Sequence, residues 1–141
     1  MDYETTPAQA FGHALRGLSV NLLVRDVADE VAFLFGVFNL QPHRVSRDFA
    51  IMLHAGQPFQ LHADHTYGAH PLLSLLPEAG PRGVGIELRL HEADPDLAVA
   101  QLAIFPNGVL LQGATDKPGH GLREAVILCP MGYAWVPSRR I

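Results

Sequence analysis

One stretch of the sequence returns at an offset of 66 residues, counted from Gly17 to Gly83. Residues 17–26 read GLSVNLLVRD and residues 83–92 read GVGIELRLHE, and both copies end on an acidic residue. Apolar and polar residues alternate with a period of two in each copy, which is typical of a half-buried strand. A chain that repeats itself once is expected to fold into two similar halves.

Each predicted strand leads into a predicted helix. Asp26 can cap a helix over residues 27–38, where apolar residues recur at helical spacing. Asp94 followed by Pro95 is a stronger helix start, because proline at the first helical position loses no hydrogen bond. Short strands are predicted after the helices, at 44–46, 49–53 and 59–63 in the first half and at 109–112, 125–129 and 134–137 in the second. The order β-α-β-β-β therefore occurs twice.

The repeat also predicts the domain organisation. Residues 1–16 have no partner in the repeat and are expected to form an N-terminal arm. The first module spans 17–64, a connector with three prolines spans 65–82, and the second module spans 83–138.

Composition excludes several function classes. The formal charge of −4, with eight histidines, gives no basic footprint for nucleic acid. Cys129 is the single cysteine, so an internal disulfide is impossible and a reducing compartment is expected. The N-terminal residues do not resemble a signal peptide, and no apolar run is long enough to cross a bilayer. We expect a cytoplasmic protein with neither a membrane nor a nucleic acid as partner.

Two motifs resemble those of a known superfamily. Residues 20–26 read VNLLVRD ahead of an amphipathic helix, and residues 129–133 read CPMGY where the family usually has an acidic DPDGY turn. Over residues 17–138 the sequence is similar to the vicinal oxygen chelate superfamily, which includes glyoxalase, bleomycin-resistance proteins and extradiol dioxygenases. The resemblance implies an α+β fold of two tandem βαβββ modules, whose mixed sheets curl around a shared cavity, and a homodimer.

The resemblance also locates the positions of the family's metal ligands, on the first strand and near the end of the last strand of each module. In this sequence they are Ser19, Gln60, Gly85 and Val136. Glycine and valine have no side-chain donor and serine is a poor one, so only Gln60 could serve. No family-type metal site and no cofactor are expected. A divalent metal held by an altered ligand set, such as His62 with Glu87, stays open as an alternative.

Five polar residues are predicted to contact a ligand because strand alternation places them on the faces turned away from the helices: Asn21, Gln60, His62, Glu87 and Arg89. Two structural alternatives stay open. The Glu87 and Arg89 side chains can pair with each other or with a dimer partner. His62, near Asp64, can serve acid–base chemistry or lie at a strand end that enters a polar loop.

Two function classes follow from these features. The first is a binding protein that holds a small organic molecule in the cavity without a metal. The alternative is a lyase, isomerase or dioxygenase that uses an altered metal set or acid–base chemistry. Residues 116–124 are predicted to form a lid or specificity loop. Trp135 is expected in the core, and Cys129 is expected to be a buried residue rather than a nucleophile.

Overall fold

The computed structural model describes residues 1–83 and 85–141. Its helices are α1 (Ala8–Ala14), α2 (Val27–Phe38) and α3 (Pro95–Leu102). Its strands are β1 (Asn21–Val24), β2 (Gln41–His43), β3 (Phe49–His54), β4 (Gln57–Ala63), β5 (Glu87–His91), β6 (Val109–Lys117), β7 (Leu122–Leu128) and β8 (Ala134–Arg140). Two 3₁₀ turns, Asp64–Tyr67 and Leu73–Leu75, lie between β4 and β5.

The eight strands form two four-stranded sheets with the same topology. The strand orders are β1-β4-β3-β2 and β5-β8-β7-β6. In each sheet the first strand runs parallel to the last, and the remaining neighbours are antiparallel. Asn21 lies beside Gln60 in the first sheet, and Glu87 lies beside Ala134 in the second. The predicted α+β class with two tandem βαβββ modules is confirmed.

The helix boundaries follow the predicted capping signals. The Asp26 carboxylate accepts the Asp29 backbone N–H at 3.1 Å, and α2 ends at Asn39 in the left-handed region with φ 57°. The Asp94 carboxylate accepts the backbone N–H groups of the second and third residues of α3, which has Pro95 at its first position. Both predicted N-caps are confirmed.

One hydrophobic core joins the two modules. The Trp135 ring, from the second module, lies 5.9 Å from Phe38 and 5.5 Å from Phe59 of the first, between ring centroids. Phe33 on α2 packs against Phe105 beyond α3 at 5.5 Å. Trp135 is therefore a core residue, as predicted, and the modules bury their apolar faces together.

Two predicted elements are wrong. The second strand was expected at 44–46, but it lies at Gln41–His43, because Arg44 takes a left-handed φ of 54° that ends the strand. Residues 116–124 do not form a lid, since β6 continues to Lys117 and β7 begins at Leu122. The Asp116–Arg123 ion pair across these strands, at 3.1 Å, favours the tight turn.

The N-terminal arm is docked against the first sheet. Tyr3 lies 5.7 Å from the ring of His43 on β2, and Phe11 on α1 is buried. The Glu4 carboxylate accepts the backbone N–H of Arg44 at 3.0 Å. Within residues 1–83 and 85–141, no helix is both long and apolar enough to cross a membrane.

Candidate functional site

Three of the predicted site residues lie together on the first sheet. Asn21 on β1 is the register partner of Gln60 on β4, and His62 follows two residues later. Their neighbours Leu22 and Leu61 point into the core, so strand alternation turns all three to the face away from α2. We call this surface the first face.

Hydrogen bonds connect the polar groups of the first face. His62 Nε2 lies 3.1 Å from the Gln60 side-chain carbonyl oxygen. A carbonyl oxygen can only accept, so the imidazole donates from Nε2. The Asn21 side-chain amide donates to the hydroxyl of Tyr67 at 3.4 Å. The face thus carries two carboxamides whose remaining donors and acceptors are available to a ligand.

Four rings form an aromatic row across this face: Phe49, His62, Tyr67 and His70. Successive ring centroids lie 5.1, 5.3 and 5.0 Å apart. Burial lowers the pKa of His62 from its usual value of 6.5, because the charged imidazolium loses solvation there. His62 is therefore neutral at pH 7 and adds no charge to the aromatic row.

The other two predicted residues lie on the second sheet in a charged setting. Arg89 on β5 contacts the carboxylate of Glu87 at 3.3 Å and that of Glu124 on β7. Glu124 is buried, as is Val136, the register partner of Arg89. This arrangement fits the ion-pair interpretation of Glu87 and Arg89, because the guanidinium is already shared between two carboxylates. We call this surface the second face.

In the described part of the chain, the two groups of predicted residues are not linked by polar contacts. Among the described residues, none of the hydrogen bonds or ion pairs runs from Asn21, Gln60 or His62 to Glu87 or Arg89. Glu87 and Arg89 instead line a crevice of about 290 Å³ between the modules, which the three residues of the first face do not line.

Solved structures share this architecture. A glyoxalase/bleomycin resistance protein/dioxygenase family enzyme from Burkholderia phytofirmans PsJN has a TM-score of 0.67 at 22% identity, covering 87% of this chain and 97% of that chain. A glyoxalase-related enzyme from Fulvimarina pelagi has a TM-score of 0.68 at 15% identity, covering 89% of both chains. A glyoxalase/bleomycin resistance protein/dioxygenase from Nocardioides has a TM-score of 0.64 at 17% identity, covering 94% of this chain and 89% of that chain. The chain has the vicinal oxygen chelate fold.

No protein-family model matches the sequence, and no curated protein matches it. At these identities the likeness shows the fold alone. One local feature of this vicinal oxygen chelate fold is the turn at residues 129–133. Gly132 has φ 80°, and a Cβ there would come within 2.4 Å of Pro81, so the turn requires glycine.

The four residues that the resemblance assigns to metal-ligand positions carry few groups that could bind a metal ion. Ser19 is exposed and precedes β1, Gly85 has no side chain, and Val136 is apolar and buried. Gln60 alone carries a donor, and its carbonyl oxygen is hydrogen-bonded to His62. Within the described part of the chain, no three His, Cys, Asp or Glu residues come together as a metal site. A ligand set of this composition cannot complete a three- or four-ligand site.

Two buried polar contacts were not predicted from the sequence: one joins the connector to the first module, and the other joins the two modules. Arg82 makes a bidentate ion pair with Asp64 at 2.6 and 2.7 Å, and its side chain is almost fully buried. Glu30 on α2 is also buried, and one of its carboxylate oxygens accepts the Met131 backbone N–H at 3.0 Å. Neither pairing has a local sequence signal, because the partners are 18 and 101 residues apart.

Proposed function

We propose that this protein binds a small planar organic molecule on the first face, without a metal ion. The aromatic row carries this proposal. Rings spaced about 5 Å apart, two on strands and two in the segment after β4, offer faces and edges on which a planar ligand can stack. The neutral His62 adds no charge between Phe49 and Tyr67, so this part of the row suits an uncharged ligand.

The carboxamides of Asn21 and Gln60 supply the polar contacts for such a ligand. An amide both donates and accepts, so hydroxyl and carbonyl groups are suitable partners. A few directed polar groups beside a largely aromatic surface are typical of small-molecule sites. A planar molecule with one or two hydroxyl groups therefore fits the first face best.

The metal-free part of the proposal follows from the donor chemistry of the four family positions, of which only Gln60 has a usable side chain. Elemental analysis of protein purified without a histidine tag tests it directly. We expect less than stoichiometric iron, zinc, nickel or manganese. A stoichiometric metal that survives dialysis would overturn this part.

Binding is tested with two probes, 1-naphthol and catechol, by calorimetry and by amide chemical shifts. We expect shifts at Phe49, Gln60 and His62. The His62→Ala variant should weaken 1-naphthol binding about threefold to tenfold, the range of one lost aromatic contact. His120→Ala, in the exposed turn between β6 and β7, is the matched control and should bind as the parent does. No binding, or shifts confined to other strands, would refute the assignment.

A further inference from the structure

A second cavity lies on the helical side of the molecule. It has a volume of about 790 Å³ and is lined by α2, α3, the turn after β3 and the segment between β5 and α3. We call it the interhelix cleft. Its size falls within the usual range of ligand pockets, roughly 300 to 1,000 Å³. None of the five predicted site residues lines it, so the cleft is separate from both faces.

The walls of the interhelix cleft expose large apolar side chains. Phe35 on α2 is 49% exposed, Leu97 on α3 is 56% exposed, and Ile104 beyond α3 is 70% exposed. Phe105 closes one side by packing its ring on Gly36, where a Cβ would come within 2.3 Å of the ring. A ligand that covers these side chains removes apolar surface from water, which favours binding.

One end of the cleft is negatively charged. Glu92, in the turn after β5, is exposed, and in the described part of the chain its carboxylate has no hydrogen bond or ion pair. Asp94 uses a single oxygen, Oδ1, to cap α3. No lysine or arginine is among the described lining residues. Glu92 also lines a neighbouring crevice with Arg139 and Arg140, but in the described part of the chain neither arginine lines the cleft or forms an ion pair with Glu92. The cleft therefore combines an apolar wall with two carboxylates that have no basic partner within it.

The cleft is braced across the two modules. His54 Nε2, at the end of β3, lies 2.6 Å from the backbone carbonyl oxygen of His91, at the end of β5. The carbonyl can only accept, so the imidazole donates and holds the two strand ends together. His54 lines the cleft, and so does Glu92, the residue after His91, so this hydrogen bond ties the first module to the carboxylate end of the cleft.

We propose that the interhelix cleft is a binding site for a small hydrophobic molecule that carries a cationic amine. The apolar part lies on Phe35, Leu97 and Phe105, and the ammonium group lies against Glu92 and Asp94. Charge complementarity selects this ligand class, because an anion would meet two carboxylates and a neutral molecule would leave them unpaired.

Three probes that share one ring system test the charge requirement: 2-naphthylmethylamine, 2-naphthylmethanol and 2-naphthoate. Because a naphthyl alcohol can also bind the first face, the affinities for the cleft are taken from titrations of the amide shifts of its lining residues, and we expect the rank amine, then alcohol, then carboxylate. Amide shifts caused by the amine should centre on Leu97, Ala98 and Phe105. The preference for the amine over the alcohol should shrink as salt is added, because the carboxylates are partly exposed.

Two substitutions remove the charges while keeping the fold. In the double variant Glu92→Gln/Asp94→Asn, asparagine still caps α3, since it is as good an N-cap as aspartate. We expect the amine to bind about threefold to tenfold more weakly and the alcohol to be unchanged. Glu78→Gln, an exposed charge in the connector, is the matched control and should leave both affinities as they were. Leu97→Ala should weaken all three probes.

Other outcomes would overturn the proposal. Equal affinities for the three probes, or shifts confined to the aromatic row, would show that charge and cleft play no part. Concentration-dependent association by light scattering, abolished by Leu97→Arg, would show that a second copy of the chain covers the cleft. Since the cleft shares no lining residue with the first face, failure here leaves the function proposed above untouched, and the location of the shifts tells the two apart.

Discussion

The two modules have the same strand order, yet their sheet faces carry opposite chemistry. The first face holds carboxamides and an aromatic row around the neutral His62. The second face holds Arg89 between Glu87 and Glu124. The two modules share a topology but differ in the side chains on their faces. The βαβββ scaffold therefore determines the position of a face, and the side chains determine its chemistry. We infer that the first face is free to bind and that the second is occupied by its own ion pairs.

The two helices differ in the same manner. Counted from the N-caps Asp26 and Asp94, the fourth residue is Glu30 in α2 and Ala98 in α3. Both are buried. In the second module a methyl group fills this position, whereas in the first a carboxyl group does and bonds to Met131 across the module boundary. The two modules therefore bury a residue at the same helix position, but the residue is polar in the first module and apolar in the second.

The largest expected effect is a loss of stability in a variant of the shared core, and it tests whether the two modules unfold together. Trp135→Ala should destabilise the protein by about 4 kcal/mol, because it removes a large core side chain that contacts Phe38 and Phe59. Urea unfolding followed by circular dichroism should still show a single transition. Trp135→Phe is the milder control. Two separate transitions in either variant would mean that the modules fold independently.

Glu30 gives the next largest effect. Burial raises its pKa from 4.5 to about 7, and the Cys129 side chain and the Met131 N–H only partly oppose this. The folded protein therefore holds the proton more tightly than the unfolded chain does. The cost of ionising Glu30 is absent below pH 4.5, grows as the pH rises and is complete above about pH 7. At 1.36 kcal/mol per pKa unit, it reaches about 3 kcal/mol.

Urea titrations from pH 5 to pH 8 measure this cost. The parent protein should lose stability across that window, and Glu30→Gln should lose about 2.5 kcal/mol less, since a small part of the cost is already present at pH 5. Glu78→Gln, which changes an exposed carboxylate, should follow the parent. If Glu30→Gln keeps the pH dependence of the parent, the buried carboxyl group is not its source.

A smaller effect compares the two faces directly. Arg89→Met should cost about 2 kcal/mol, since it leaves the buried Glu124 without its cation. Gln60→Ala on the first face should cost only about 0.5 kcal/mol, since the amide is half-buried and bonded to a single side chain. Chemical unfolding at pH 7 gives both values. If both substitutions lowered the free energy of unfolding equally, the second face could not be called structural and the first face a binding surface on this ground.

Periodicity and capping made most of the fold predictable. The alternation in β1 and β5 and the caps Asp26 and Asp94 depend on residues close in sequence, and each element appears where it was expected. Register between distant strands has no such local signal. Alternation predicted that Glu87 and Arg89 share a face and can pair, as they do. Because register has no local signal, the sequence could not predict Glu124 as the second partner of Arg89.

The candidate site was predictable to a lesser degree. Alternation turned Asn21, Gln60 and His62 to one face. The aromatic row was missed, because Phe49 comes from β3 and Tyr67 from a 3₁₀ turn. Only tertiary contacts bring these rings beside His62.

The smallest expected effect is a change in the pKa of His62, and it tests whether the first face is a binding site. Its pKa should fall below 6.5 in a histidine ring titration by NMR, because burial disfavours the charged form. Tyr67→Ala should raise the pKa of His62, because the tyrosine ring, whose centroid lies 5.3 Å from that of the imidazole, shields His62 from water. A bound 1-naphthol should lower the pKa further, so its affinity should fall about twofold to threefold as the pH drops through the free-state pKa. A pKa that does not respond to the probe would place the probe elsewhere, and the aromatic row would then be packing rather than a site.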